Sequence, residues 1–270
     1  MTQPNASPPP DRSLPSLPAV VARLVSLYAS PDYTPAQVAD LLATDPPLSA
    51  RVLRLANSAY YGFSGKVDSV RRAVVLLGAA TVQAVALGTS LLRPWGGDAL
   101  PAAVEALWVH SYLCGLGCRF LAQRLPLPVV EASPDGWFLA GLLHDVGKIV
   151  FLTRDPPGYV EVLDEELAQE ALRERERALF GRDHAEEGAA LLEAWQLPTH
   201  TVWLARYHHR PGVVRPELEM GWEALDAAHR ALRGEPPAGG GVLPAALASD
   251  LAAHLDDARG QAESFYRAIS

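Results

Sequence analysis

At 270 residues the chain can bury a sizeable core without disulfides or a structural metal, as one large domain or two small ones. With 49% hydrophobic and 20% charged residues it has the balance of a folded globular protein, which excludes a disordered or fibrous chain. A formal charge of -8 argues against general affinity for nucleic-acid backbones, which needs Lys and Arg to displace counterions, and leaves only a short Lys66, Arg71-Arg72 strip as a weak candidate.

The first residues, Met1 to Asp11, are polar and proline-rich, with neither a basic head nor an apolar segment, so they read as a disordered leader over 1–12 rather than a secretory signal. No window approaches the roughly 18 uninterrupted apolar residues of a membrane span, so the expected location is the cytoplasm, with no membrane partner. Leu17, Val20, Val21, Leu24, Val25 and Tyr28 recur at helical spacing and predict an opening amphipathic helix. Thr34-Pro35-Ala36-Gln37 combines a capping Thr, a first-turn Pro and a reciprocating Gln, starting a short helix to Ala43. Asp45-Pro46 repeats that logic for a helix through Leu48, Val52, Leu53 and Leu55, ending near Asn57-Ser58 before an aromatic turn at Tyr60, Tyr61, Gly62 and Phe63. Asn57 and Ser58 most simply satisfy backbone groups at that helix end.

Val70, Val74 and Leu77 predict the next helix, Gly78 interrupts it, and Val82, Val85 and Leu91 resume the pattern until Pro94, Gly96 and Gly97 end a first bundle. A long helix from near Pro101 through Trp108, His110 and Phe120 opens the second half, with further segments near 137–152, 159–180, 184–195 and 199–209. Cys114 and Cys118 share a face of the long helix and read as small core residues. Asp183-His184-Ala185-Glu186 is an acidic capping box that fixes His184 in a helix's first turn. The charged run from Asp164 to Arg177 reads as a solvated helix face. Gly and Pro make 233–241 a flexible connection to a last helix from about Val242 to Asp257. Strand-like alternation is scarce, so the expected class is all-α in two lobes.

The sharpest chemical feature is Gly141-Leu142-Leu143-His144-Asp145-Val146-Gly147-Lys148, which sets an imidazole beside a carboxylate in an apolar helix. Buried there unpaired, both would be costly. Adjacent helical residues point about 100° apart, so His144 and Asp145 can flank a single point in space. His208-His209 is a second adjacent pair, and His110, His184 and Asp250 lie near helical stretches able to close the same pocket. Neutral imidazoles with carboxylates suit a divalent Fe, Mn or Zn ion. His200, His229 and His254 fit no such pattern and are assigned to solvent.

In this order, His110, His144-Asp145, His184, His208-His209 and Asp250 resemble the ligand series of the HD phosphohydrolase superfamily, including its HD-GYP cyclic-dinucleotide phosphodiesterases. Leu14-Pro15-Ser16-Leu17-Pro18, Asn57-Ser58-Ala59-Tyr60-Tyr61-Gly62 and Ala73-Val74-Val75-Leu76-Leu77-Gly78 resemble the signature run of HDOD domains over about 13–210. That resemblance implies a helical bundle over 13–97 packed on an HD-like helical bundle over 98–260 with a C-terminal extension. It also implies a role in bacterial signalling, in which most members have no established catalysis. The motif after His208-His209 is Arg210-Pro211-Gly212, not the Gly-Tyr-Pro that names HD-GYP enzymes, which disfavours a cyclic-dinucleotide substrate.

The resemblance implies two alternative functions. The preferred one is a regulatory module with protein partners in a signalling pathway, responsive to a ligand such as a nucleotide or cyclic dinucleotide, with a retained metal pocket. The alternative is a metal-dependent phosphohydrolase in which His110, His144, Asp145, His184, His208, His209 and Asp250 form the metal shell. In that case Asp145 and Lys148 are the catalytic residues, Lys148 neutralising charge on the phosphate. Otherwise Lys148 is the solvated end of an amphipathic helix.

Overall fold

A computed structural model describes residues 15–30, 32–62, 67–92, 101–125, 132–210, 213, 218–235 and 244–270. The expected leader, the Pro94 to Gly97 break and most of the Gly/Pro connection lie outside the described residues. Among the described residues every regular element is helical, as the sequence predicts.

Local chemistry sets the first five helices. Helix α1 (Ala19–Tyr28) buries Val21, Leu24 and Val25. At the start of α2 (Pro35–Leu42) both halves of the expected capping box form, Thr34 Oγ1 accepting from Gln37 N and Gln37 Oε1 accepting from Thr34 N. Asp45 caps α3 (Pro46–Ala56) by accepting from Leu48 N at 3.0 Å. A single 3₁₀ turn over Ala59–Tyr61 comes next. The Asn57 amide group then ties that turn down: Nδ2 donates to the carbonyls of Leu53 and Val67, and Oδ1 accepts from Val67 N. This is the structural role expected of it. Helices α4 (Val70–Leu77) and α5 (Ala79–Leu92) are bent by 109° at Gly78, whose φ of 77° favours glycine.

The second half begins with α6 (Ala102–Ala122), the long helix on which most of the later helices pack. Where one helix is expected over 137–152 there are two, α7 (Pro134–Leu143) and α8 (Val146–Arg154), because His144 and Asp145 form a corner. The predicted 159–180 segment is likewise two helices, α9 (Pro156–Asp164) and α10 (Gln169–Phe180), separated near Glu166 with its φ of 47°. The capping box at Asp183 starts α11 (His184–Ala194), and α12 (Thr199–Tyr207) ends at the His208-His209 pair.

Two helices were not expected: α13 (Glu219–Leu232) and, after α14 (Ala245–Asp257), α15 (Arg259–Ile269). Helix α15 packs against α3, α5, α6 and the 3₁₀ turn, so the chain's end lies against helices of both expected lobes. There Gln261 Nε2 donates to Tyr61 Oη at 3.0 Å and to Tyr112 Oη at 2.9 Å. One hydrophobic core runs through all of these elements. The stretch Pro134–Arg154 is long and apolar enough to cross a bilayer, but 89% of that window is buried inside the protein.

Missing side chains bring the helices of the site together. A Cβ on Gly141 would lie 2.9 Å from the Cys114 carbonyl oxygen, which lets α7 cross α6 at backbone contact. One on Gly147 would lie 2.0 Å from the His184 carbonyl oxygen, so only glycine there lets α8 reach the start of α11.

Candidate metal centre

At the corner between α7 and α8, His144 and Asp145 are 0% and 4% exposed. The Asp145 carboxylate faces in two directions. Its Oδ2 accepts from Lys148 Nζ at 2.8 Å and lies 3.2 Å from His144 Nε2. Its Oδ1 lies 3.4 Å from both His184 Nε2 and His208 Nε2. Burial opposes ionisation of Asp145, but the Lys148 charge and the His144 and His208 imidazoles outweigh it and hold the carboxyl well below its ordinary range.

The backbone and a buried acid fix the histidine tautomers. Nδ1 of His144 donates to the Gly141 carbonyl at 2.6 Å, and Nδ1 of His208 donates to the Ala205 carbonyl at 2.8 Å. Since a carbonyl can only accept, the proton of each neutral ring sits on Nδ1 and Nε2 is left a bare lone pair. His184 is set the same way by Glu176, whose Oε2 accepts from both His184 N and His184 Nδ1. Tyr159 in turn donates to Glu176 Oε1. Burial nevertheless pushes the Glu176 carboxyl up to about 7 against the pull of those hydrogen bonds. A carboxylate behind an imidazole in this manner orients the ring and raises its basicity.

His209 Nε2 lies 2.9 Å from His184 Nε2, completing a group in which Asp145, His184, His208 and His209 present ligand atoms within 4.8 Å of one another. A second group of the same tightness adjoins it: His110 and Cys114 on α6, His144, and His229 on α13. Burial lowers the pKa values of His184, His208, His209 and His229 and takes His110 to about 4, so all five are neutral near pH 7.

The HDOD domain family matches residues 14–211 of the sequence. The chain belongs to the HDOD family. Among other proteins, this HDOD chain is 26% identical over 202 residues to an uncharacterized protein of Treponema pallidum (strain Nichols), covering 73% of this chain but only 37% of that protein. A solved Shewanella amazonensis SB2B structure, provisionally named a phosphohydrolase, is similar at 25% identity with a TM-score of 0.68, over 95% of each chain. An HDOD domain protein of unknown function from Geobacter sulfurreducens is 27% identical with a TM-score of 0.64, over 92% of this chain and 84% of that one.

Of the residues singled out in the HDOD sequence, the fold brings together His110, His144, Asp145, His184, His208, His209 and Lys148. Lys148 is 7% exposed and ion-paired, not a solvated helix end. Asp250 is not among them: it is exposed on α14 and belongs to neither cluster. The assignment of three histidines to solvent is corrected as well. His229 lies in the second cluster, His200 is buried against the Trp137 ring, and His254 stacks on Phe120.

The charged run read as a solvated face also hides two buried, paired residues. Arg173 and Glu176 are 5% and 0% exposed, Arg173 pairing with the capping Asp183 while Glu176 holds His184. A signal for α13 was present, since Gly221, Ala224, Leu225 and Ala228 follow helical spacing and are its buried residues. No comparable signal marked Glu176, because one buried acid in a run of charges looks like its neighbours.

Proposed function

We propose that this is a bacterial regulatory HDOD protein whose HD-type pocket holds a divalent transition metal, the loaded pocket setting how the helical lobes present themselves to a signalling partner. One observation carries the metal reading: Asp145 Oδ1 and His208 Nε2 are fully buried and have no hydrogen-bond partner. Unpartnered buried polar atoms cost about 1–3 kcal/mol each, a cost that a cation between them would remove. The donor set fits. Bonds of about 2.0–2.3 Å in a tetrahedron separate ligand atoms by roughly 3.3–3.8 Å, and the 3.4 Å from Asp145 Oδ1 to His184 Nε2 and to His208 Nε2 falls in that range. His184, His208 and Asp145 would hold the ion, with His209 completing the shell. Fe, Mn and Zn all accept this mixture of imidazole and carboxylate.

Elemental analysis of the purified chain tests the proposal. Stoichiometric iron, manganese or zinc is expected, and it should vanish from the His144→Ala/Asp145→Ala double variant. Metal-free wild-type protein of full stability would sink the metal pocket.

A second reading, a metal-dependent phosphohydrolase, is favoured by Lys148 and by the provisional name of the Shewanella relative. A bound divalent ion supplies an activated water and a polarised phosphoryl oxygen. Within the chain, Lys148 is placed beside Asp145 to meet charge building on a phosphate, and the depressed Asp145 pKa keeps its carboxylate ionised. Arg210-Pro211-Gly212 after His209 speaks against cyclic dinucleotides as substrate. Release of phosphate or mononucleotide from a nucleotide panel by the loaded protein would establish this reading. No turnover by that form leaves the regulatory one.

A further inference from the structure

We propose that helix α15 is the brace through which a change at the pocket reaches the first five helices, with Gln261 as its positioning residue between Tyr61 and Tyr112. This deepens the regulatory reading by naming the route of regulation, and it rests on that reading for the event at the pocket. The helix lies beyond residue 211, where the match to the HDOD family ends.

Three sets of contacts hold α15 to the first group of helices. Arg51 on α3 donates to the Ala268 carbonyl at 3.2 Å and to the Ile269 carbonyl, and Arg54 donates to the Arg267 carbonyl at 3.3 Å. The last carbonyls of a helix have no partners within it, so these guanidinium groups cap α15. Ile269 is fully buried and fills the space that Gly88 leaves on α5, where a Cβ would lie 2.9 Å from Ile269 Cδ1. Finally, Gln261 Nε2 donates to Tyr61 Oη in the 3₁₀ turn that Asn57 ties down.

On its other side α15 is joined to the pocket. Phe265 stacks on Tyr112 of α6 at a ring separation of 4.4 Å, and the same Gln261 Nε2 that reaches Tyr61 donates to Tyr112 Oη at 2.9 Å. From Tyr112 the path to the corner is close-packed. The Phe138 ring of α7 meets Tyr112 edge-on at 5.4 Å, and α7 touches α6 at backbone level, since a Cβ on Gly115 would lie 2.7 Å from the Phe138 carbonyl oxygen. Helix α7 ends at His144 and Asp145, so a shift of the corner moves α7 and α6 together. Apolar packing by Phe265 and Ile269 is enough to dock α15, but it does not account for Gln261, a polar side chain only 7% exposed. Burying an amide is costly unless it is bonded, and this one is bonded to a hydroxyl from each group. Hydrogen bonds fix distance and direction, so the amide makes the position of Tyr61 depend on that of Tyr112.

Amide hydrogen exchange of the full chain, read residue by residue by NMR with and without stoichiometric zinc, tests the brace. The amides of Tyr61, Gly62 and Val67 are bonded within the turn and report on it. Zinc should slow exchange there and along α15 by about fivefold or more, while the amides of α2 change less. Gln261→Met should bind zinc as the wild type does and lose the response at the turn. Tyr112→Phe, which keeps the ring on Phe265 and deletes the hydroxyl, gives the same reading where Gln261→Met folds poorly. A response that survives both variants overturns the brace, the direct packing of α5 on α7 then carrying the change. An equal response in α2 overturns it as well, because zinc then only raises global stability. Zinc bound with no response at the turn overturns the brace and leaves the metal pocket standing. If the wild type takes up no zinc, the metal pocket fails, and the Asp145→Ala/Lys148→Met variant replaces zinc as the change at the corner. Altered exchange at Tyr61, Gly62 and Val67 that Gln261→Met abolishes then supports the brace, and unaltered exchange overturns it.

Discussion

Helices α1 to α5 and the helices around the α7–α8 corner are built on opposite terms. In the first group the interior is almost wholly aliphatic: Leu24, Leu42, Val52 and Leu55 are each 0% exposed, and polar side chains such as Ser49 and Asn57 bond directly to backbone. In the second, charged and titratable groups occupy the interior in chains, Lys148 to Asp145, Tyr159 to Glu176 to His184, and Arg173 to Asp183. The contrast teaches that the first group derives its stability from apolar burial and caps. The second gives up some stability to bury imidazoles and acids, and its interior is only as sound as each pairing in it.

The largest expected effect separates the two regions directly. Asp145→Ala leaves the Lys148 ammonium buried without its partner and should destabilise metal-stripped protein by about 3–5 kcal/mol in urea unfolding. Leu55→Ala should cost a comparable amount, about 2–5 kcal/mol, through its cavity. The two differ in rescue. Adding Lys148→Met to Asp145→Ala should recover much of the loss without restoring metal binding, whereas Leu55→Ala should leave metal content unchanged. If the double change recovers nothing, the ion pair is not what the corner depends on.

Next in size, Glu176→Gln should weaken metal affinity by about 10- to 100-fold, because an amide no longer fixes His184 with Nδ1 protonated. A competition titration with a chromophoric chelator would measure it, and unchanged affinity would demote Glu176 to simple packing.

A smaller effect appears with pH in metal-free protein. Burial depresses the folded-state pKa values of His184, His208, His209, His229 and His110 below the ordinary 6.5, in the case of His110 to about 4. The unfolded chain therefore takes up protons first. Stability from these groups is complete above about pH 6.5 and falls as pH drops below it. Glu176, raised to about 7, works in the other direction, but it is one group against five. Denaturation midpoints should hold from pH 8 to about 6.5 and fall from there to pH 5.

The smallest effect is a control. Asp250→Ala, at an exposed position outside both clusters, should change stability by no more than about 0.5 kcal/mol and metal content not at all. Lost metal in that variant would mean that α14 reaches the pocket in solution.

Much of the molecule was decided by sequence alone because the deciding interactions are local. The capping groups Thr34, Asp45 and Asp183 act within three residues of themselves, and the glycine break at Gly78 depends on one residue's φ, so these features stand where the sequence placed them. The HDOD family was legible for a related reason: its signature residues occupy fixed places along the chain. What only packing decided are the relations between distant residues. His229 joins His110 because α13 lies on α6, Asp250 is left outside because α14 turns it to solvent, and Glu176 is buried because α10 folds back behind His184. Side-chain periodicity reports which face of a helix is apolar, but not which other helix that face will meet, and a pocket assembled from five segments exists only once they meet.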